Sequence, residues 1–351
     1  LKNKELNMTK KVNYLSLILL YVIPIFLLLT GVSCTGIEED PCTNAPDVSE
    51  VNINLQTEQL GRELMSSSSP EEIGTFLNNN PEVAEKYLLS GRYPNDSILV
   101  NELYQRVTNA SFDTLYNETV QEYGDFSAKS TEFKQAFQYI KHYYPNFRPP
   151  KIKTIVTGFL HMDRDLYVDD SLIVCGLDFY LKDSARFRPN IYMYMLKRIR
   201  PPYLVPSSML LFSGSFNESD LEDNTLIAEM IYYGKSYYFV DHVLPCTPDT
   251  LMTGYSEEEM LMLENSEKSL WQYFVEKDIL FSNNVFEKRK YVNDRPEIVE
   301  IAPGVPGRVG RWIGWQIVKS YMRNHPEVTL PELMATRDAQ KIFKEAGYRP
   351  K

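Results

Sequence analysis

Residues 15–32 form an apolar run without a single charged side chain, preceded by the basic patch Met8-Thr-Lys-Lys and followed by Gly31-Val32-Ser33-Cys34. No other feature restricts the chain as much, because a basic-then-apolar N-terminus is the pattern of an export signal rather than part of a fold. A membrane-spanning anchor is the competing reading, since the run approaches the ~20 residues needed to cross a bilayer. Pro24 interrupts the run and small residues close it, which favours cleavage. Residues 1–33 are therefore expected to be a signal peptide starting at Met8.

Small residues directly before a cysteine resemble a bacterial lipobox, with Gly31 standing where leucine is usual. Cys34 is then the lipidation site and the first residue of the mature chain. Several acyl chains, each methylene contributing about 0.8 kcal/mol, would hold the protein on a membrane without a spanning helix. No other cofactor is expected. Glu38, Glu39 and Asp40 follow, either as a surface-sorting signal or as a solvated tether.

Lys2, Lys4, Lys10 and Lys11 against Glu5 leave the first 33 residues at +3 and the remainder at −13, from a total of −10. So acidic a body repels phosphate backbones, and nucleic acid is excluded as an expected partner. Of the four cysteines, lipidation of Cys34 leaves Cys42, Cys175 and Cys246, enough for one bridge whose pairing the sequence does not define. Cys175 lies in an apolar run and reads as a buried thiol.

Residues 34–68, with scattered Pro, Asn and Asp and a serine run at 66–69, read as the lipidated cysteine and a spacer. A single domain is expected over residues 69–351. Ser69-Pro70-Glu71-Glu72 has the form of a helix start, and the spacing of Phe133, Phe137, Ile140 and Tyr144 makes residues 112–144 helical up to Pro145. The β-branched runs beginning at Ile152 and Leu172 predict strands. Residues 224–239, 256–277 and 310–323 carry helical spacing, the second behind a capping box at Ser256, while Pro201, Pro202 and Pro206 break what lies between. The class is α+β, mainly helical with a small mixed sheet.

The histidines that could carry catalysis are His142, His161, His242 and His325. No two share the i, i+4 spacing of HExxH. His242 and Cys246 flank Pro245 without a second pair, and His161 with Asp163, Asp165, Asp169 and Asp170 lacks the order of a calcium loop. Gly304, Gly307 and Gly310 carry no Gly-Lys-Ser/Thr, and Gly214 forms no nucleophile elbow. Neither catalytic nor metal-binding residues are assigned.

Several segments together resemble the gliding motility lipoprotein GldB family of the Bacteroidetes. They are Leu166-Tyr-Val-Asp-Asp-Ser-Leu-Ile-Val-Cys-Gly-Leu, Thr225-Leu-Ile-Ala-Glu-Met-Ile-Tyr-Tyr-Gly-Lys-Ser, Gly254-Tyr-Ser-Glu-Glu-Glu, Trp271-Gln-Tyr-Phe-Val-Glu-Lys and Pro306-Gly-Arg-Val-Gly-Arg-Trp-Ile-Gly-Trp-Gln-Ile. The likeness covers residues 70–345, and Ser207 departs from an acidic preference after Pro206. It implies a cell-envelope lipoprotein, lipid-anchored at the outer membrane, whose partners belong to a motility or secretion apparatus.

The resemblance also implies a distant zincin-like, degenerate metalloprotease-like domain. In it residues 166–177 supply strands, residues 206–216 the former metal helix and residues 225–234 the next helix, with Glu229 near a third-ligand position. A non-catalytic pseudo-protease acting through protein interactions is the expectation, with an interaction cleft around Glu229, Tyr233, Arg308 and Trp312. Helical spacing makes Trp312, Trp315, Tyr232, Tyr233, Tyr237 and Tyr238 equally readable as core. The alternative is a metal-dependent peptidase using His161 or His242 with acidic neighbours.

Overall fold

The computed structural model describes Cys42 and residues 44–351; the expected signal peptide, Cys34 and the acidic residues 38–40 lie outside the described residues. In chain order, β1 (Thr57–Gln59) and α1 (Gly61–Met65) lead into α2 (Pro70–Asn79), α3 (Pro81–Lys86), α4 (Asp96–Val107), α5 (Ala110–Tyr123) and α6 (Ser127–Tyr143). Three strands follow, β2 (Lys151–Ile155), β3 (Leu166–Val168) and β4 (Leu172–Gly176). The rest is helical: α7 (Met193–Leu196), α8 (Leu204–Phe212), α9 (Leu226–Val243), α10 (Asp249–Thr253), α11 (Glu257–Glu276), α12 (Val285–Val292), α13 (Val309–Asn324), α14 (Leu330–Ala335) and α15 (Ala339–Ala346).

The four strands make one mixed sheet in the order β1-β2-β4-β3, with β3 antiparallel to β4 and the other pairings parallel. Ile152 pairs with Ile173 and Thr154 with Cys175. Every residue of β4 is buried, as expected of a strand paired on both edges and covered on both faces, and a continuous apolar run is what such a strand needs. This is the α+β arrangement expected from the sequence.

The spacer is shorter than expected. Residues from Ala45 onward belong to the folded unit Ala45–Lys351, with Val48, Ile53, Leu60 and Leu64 buried and Thr57 paired to Ile152. All three side chains of β1 are exposed, so no alternation marks this strand in the sequence. The helical stretch 112–144 is two helices rather than one, divided at Gly124 (φ +53°) and Phe126 (φ +63°). A left-handed phenylalanine costs about 1–2 kcal/mol. Burial of its ring among Tyr123 and Phe133 offsets that cost.

Helix starts follow their capping chemistry. Ser69 accepts from the Glu72 amide at 3.3 Å with Pro70 at the first helical position, and Ser256 and Glu259 form a reciprocal box at 3.1 and 2.8 Å. Pro206 sits inside α8 instead of ending it, because it occupies the first turn, where an amide has no helical acceptor to lose.

The helical half is organised by α9 against α13. A Cβ placed on Gly314 would lie 1.8 Å from the Met230 carbonyl oxygen, and one on Gly234 would lie 2.3 Å from the Gly314 oxygen. The two backbones therefore touch, and Met230, Ile231, Tyr237, Ile313, Trp315 and Ile317 close around the contact with at most 1 % exposure. Among the described residues no helix is long and apolar enough to cross a membrane.

Gly314→Ala is expected to lower unfolding free energy by about 3 kcal/mol, the upper part of the overpacking range, because backbone rather than a mobile side chain meets the new methyl. Gly74→Ala in α2, where nothing lies within 4 Å, should instead stabilise by roughly 0.5–1 kcal/mol. Denaturant titration of the two variants measures both.

Candidate functional site

The loop entering α13 is forced into its shape by glycine. Gly304 has φ +83°, and a Cβ on Gly307 would meet the Arg295 backbone at 2.3 Å. Arg308 follows in the left-handed region at φ +64° as the residue capping α13. Its guanidinium lies 5.2 Å from the centroid of the Tyr255 ring, and the Tyr255 hydroxyl donates to the Gly307 carbonyl at 2.8 Å.

Asp294 joins two arginines here. Its Oδ1 lies 2.8 Å from Arg198 Nη1 and 3.2 Å from Arg308 Nε. Burial alone would push the Asp294 carboxyl up, but Arg198, Arg308 and Arg311 together hold it below the usual carboxylate range. Arg311 stacks 4.0 Å over the Tyr233 ring and donates to the Val292 carbonyl at 2.5 Å, while Lys319 lies 3.9 Å over Trp315. The Tyr237 hydroxyl and the indole N–H groups of Trp312 and Trp315 are buried without a hydrogen-bond partner among the described residues.

The four residues expected to form an interaction cleft lie on this pair of helices but share no opening. Arg308 and Trp312 are 6 % and 2 % exposed, inside the seam. Tyr233 is half-buried under Arg311. Glu229, 3.5 Å from Lys288 Nζ, lines a separate cavity of about 170 Å³ with Asp223, Tyr232, Lys235 and Arg337. Helical periodicity marks a face without revealing whether another helix covers it, and α9 and α13 cover each other. The cleft as drawn from the sequence is a core seam.

The histidines are dispersed; His142 is exposed, its ring edge-on to Tyr143 at 5.1 Å, and the other three are hydrogen-bonded to backbone. His161 Nε2 lies 3.0 Å from the Leu88 carbonyl oxygen, His242 Nδ1 2.9 Å from that of Tyr238, and His325 Nδ1 2.9 Å from that of Tyr321. Burial lowers the pKa of His242 and so favours its neutral ring. The acids near His161 point elsewhere: Asp165 accepts from the Tyr180 hydroxyl at 2.5 Å, and Asp169 binds Lys86 and the Tyr167 hydroxyl, each at 2.7 Å. Among the described residues no group of three His, Cys, Asp or Glu side chains could hold a metal ion. Cys175 is a free, buried thiol, its pKa raised by burial, whereas Cys42 and Cys246 are disulfide-bonded.

Three buried ionisable side chains escaped sequence reasoning, among them Lys288, 6 % exposed, which donates to the Asn224 carbonyl at 2.6 Å. Lys235, 2 % exposed in the middle of α9, donates to the carbonyls of Glu218, Met334 and Thr336 at 2.7, 3.1 and 2.8 Å. Asp178, fully buried, accepts from the amides of Thr157 and Phe159 at 3.1 and 3.0 Å. Lys235 serves carbonyls at the end of α14 and in the segments beside it, Asp178 the amides of an irregular segment, and no side-chain spacing could have announced either.

A family model described as gliding motility protein GldB matches residues 41–350. The chain belongs to the GldB family. The match spans the sheet, the α9–α13 seam and the C-terminal helices together, so the family's defining unit is the whole folded body. No curated protein and no solved structure matches the chain.

Asp294→Asn should lower stability near neutral pH by roughly 2 kcal/mol, less than the 3–5 kcal/mol of a fully buried pair because solvent screens its exposed edge. Since the folded pKa is depressed, the carboxylate stabilises fully above its unfolded value of about 3.9 and is lost as pH falls through the folded value. Thermal denaturation from pH 7 downward should therefore show the difference between variant and parent shrinking in acid.

Proposed function

We propose that this GldB-family chain is a lipid-anchored envelope protein that performs no hydrolysis and works in the motility or secretion apparatus by binding other envelope proteins. The observation that supports the reading is that His161, His242, His325 and the Asp294 carboxylate are all engaged in internal structure. Three of the four histidines are tied to backbone carbonyls, and the Asp294 carboxylate is held between Arg198 and Arg308. General acid–base chemistry needs a titratable side chain facing an opening where a substrate atom can sit. Here the residues nearest such a role face one another.

The zincin-like ancestry of the reading assigns β3 and β4 to the strands above a cleft, α8 to the former metal helix and α9 to the helix behind it. Supporting this, α8 carries Pro206, Ser207 and Ser208 and no histidine or carboxylate, so a helix in that position would have nothing to offer a metal. Outer-membrane attachment through Cys34 completes the proposal. It accounts for a basic, apolar N-terminal segment on a chain in which, among the described residues, no helix is long and apolar enough to cross a membrane.

Two measurements test the reading. Purified protein analysed for elements before and after chelation is expected to hold no stoichiometric transition metal and to show no chelator-sensitive peptide hydrolysis. Stoichiometric zinc lost together with hydrolysis would establish the peptidase instead. For the anchor, Cys34→Ser expressed in the native host should leave the membrane fraction; continued acylation and membrane fractionation of that variant would refute it.

A further inference from the structure

Residues 184–203 contain five basic side chains and not one acid, on a chain that carries −10 overall. This stretch is mostly irregular, with the four-residue α7 as its only α-helix before α8. Its two ends are drawn together by Asp183, which pairs with Arg188 at 3.2 Å and with Arg200 at 3.1 Å. Arg188 also donates to the Ile199 carbonyl at 2.5 Å, so a neck is fixed and the residues between project as an Ω-type loop. At its tip Tyr192 and Met193 are 72 % and 73 % exposed, with Tyr192 stacked on Tyr194 at 5.6 Å.

The charges divide by role. Arg188 and Arg200 are spent on Asp183, and Arg198 on Asp294. The side chains of Arg186 and Lys197 are exposed and form no ion pair among the described residues, although the Arg186 amide donates to both oxygens of the Glu118 carboxylate at 3.0 and 3.1 Å. An exposed tyrosine and methionine in the same loop as Lys197, whose amide donates to the Met193 carbonyl, with Arg186 just outside the neck, are matched at a lipid surface. There an amphipathic ring sits at headgroup depth and cations meet lipid phosphates.

We infer that the loop tip at Tyr192 and Met193 docks on an anionic phospholipid surface, with Arg186 and Lys197 meeting the headgroups. This rests on the lipid-anchor reading above for the constant presence of a membrane. The residues 35–44 between Cys34 and the folded unit can reach at most about 35 Å, so an anchored body never leaves the neighbourhood of the bilayer. At that effective concentration a weak surface contact is enough to orient the body. The rest of the acidic surface is repelled by the same headgroups, which leaves this loop as the favoured point of approach.

The test uses the full acylated chain on vesicles, with Met193→Cys carrying a polarity-sensitive fluorophore. The other thiols do not compete, because Cys175 is buried, Cys42 and Cys246 are bonded, and Cys34 carries lipid in this reading. On vesicles containing phosphatidylglycerol the emission should shift to the blue. The shift should revert in 1 M salt, where the screening length falls to about 3 Å, and should be absent on pure phosphatidylcholine. Adding R186E and K197E should abolish it. Equal emission on both vesicle types, or an equal shift from a label at the exposed Leu221→Cys, would overturn the inference. If the chain fails to float with neutral vesicles, the anchor reading falls. The label on phosphatidylglycerol vesicles still decides the loop, a blue shift upholding it and no shift overturning it.

Discussion

Backbone contact between α9 and α13 at Gly234 and Gly314 is the constraint on which the helical half depends. Two helices whose carbonyls and α-carbons touch leave no room between them for a side chain, let alone a ligand. The aromatic residues one turn away are then forced to fill the flanks: Trp315 packs on Tyr237 at 5.9 Å, and Trp312 is buried beside it in α13. α13 can approach so closely only if the chain enters it through a turn in which Gly307 lies against Arg295 and Arg308 adopts a left-handed conformation. That turn in turn delivers Arg308 into the interior, where Asp294 and the Tyr255 ring receive it. The buried charge group is thus a consequence of the packing geometry.

The same logic bears on function. A cluster of arginines, tyrosines and an aspartate has the composition of many binding sites, yet composition alone does not distinguish a site from a scaffold. Here Asp294 bridges Arg198 and Arg308, Arg311 is held by Tyr233 and Val292, and Lys235 satisfies the carbonyls of Glu218, Met334 and Thr336 around the end of α14. Each charge meets an internal demand. What remains for partners is the outer surface, where the apolar side chains of Tyr192, Met193, Leu221 and Phe286 stand exposed.

Much of this was legible in the sequence. Residues 224–239, 256–277 and 310–323 read as helices because their apolar spacing is strong and, for Ser256, the cap is explicit; the structure moves their ends by only a few residues. The central strands were legible for a similar reason, since a continuous run of β-branched residues has few other uses. Long-range contacts were not legible. β1 is three exposed residues that become a strand only because the edge of β2 is free to pair. The break at Phe126 is a left-handed turn adopted by a residue that disfavours it, a decision made by core burial rather than local preference. The expected cleft failed for the reason that helical periodicity identifies a face but not its neighbour: Trp312 and Arg308 lie on the right helices, turned inward.

Hydrogen exchange on the intact chain is the most direct test of the closed seam. Amides of α9 and α13 around Gly234 and Gly314 should exchange only through global unfolding, at the slowest rates in the molecule and together with one another. Faster exchange of this pair than of β4, through a local opening that uncovers Trp312 and Arg308, would mean that the seam is a working cleft and would contradict the account.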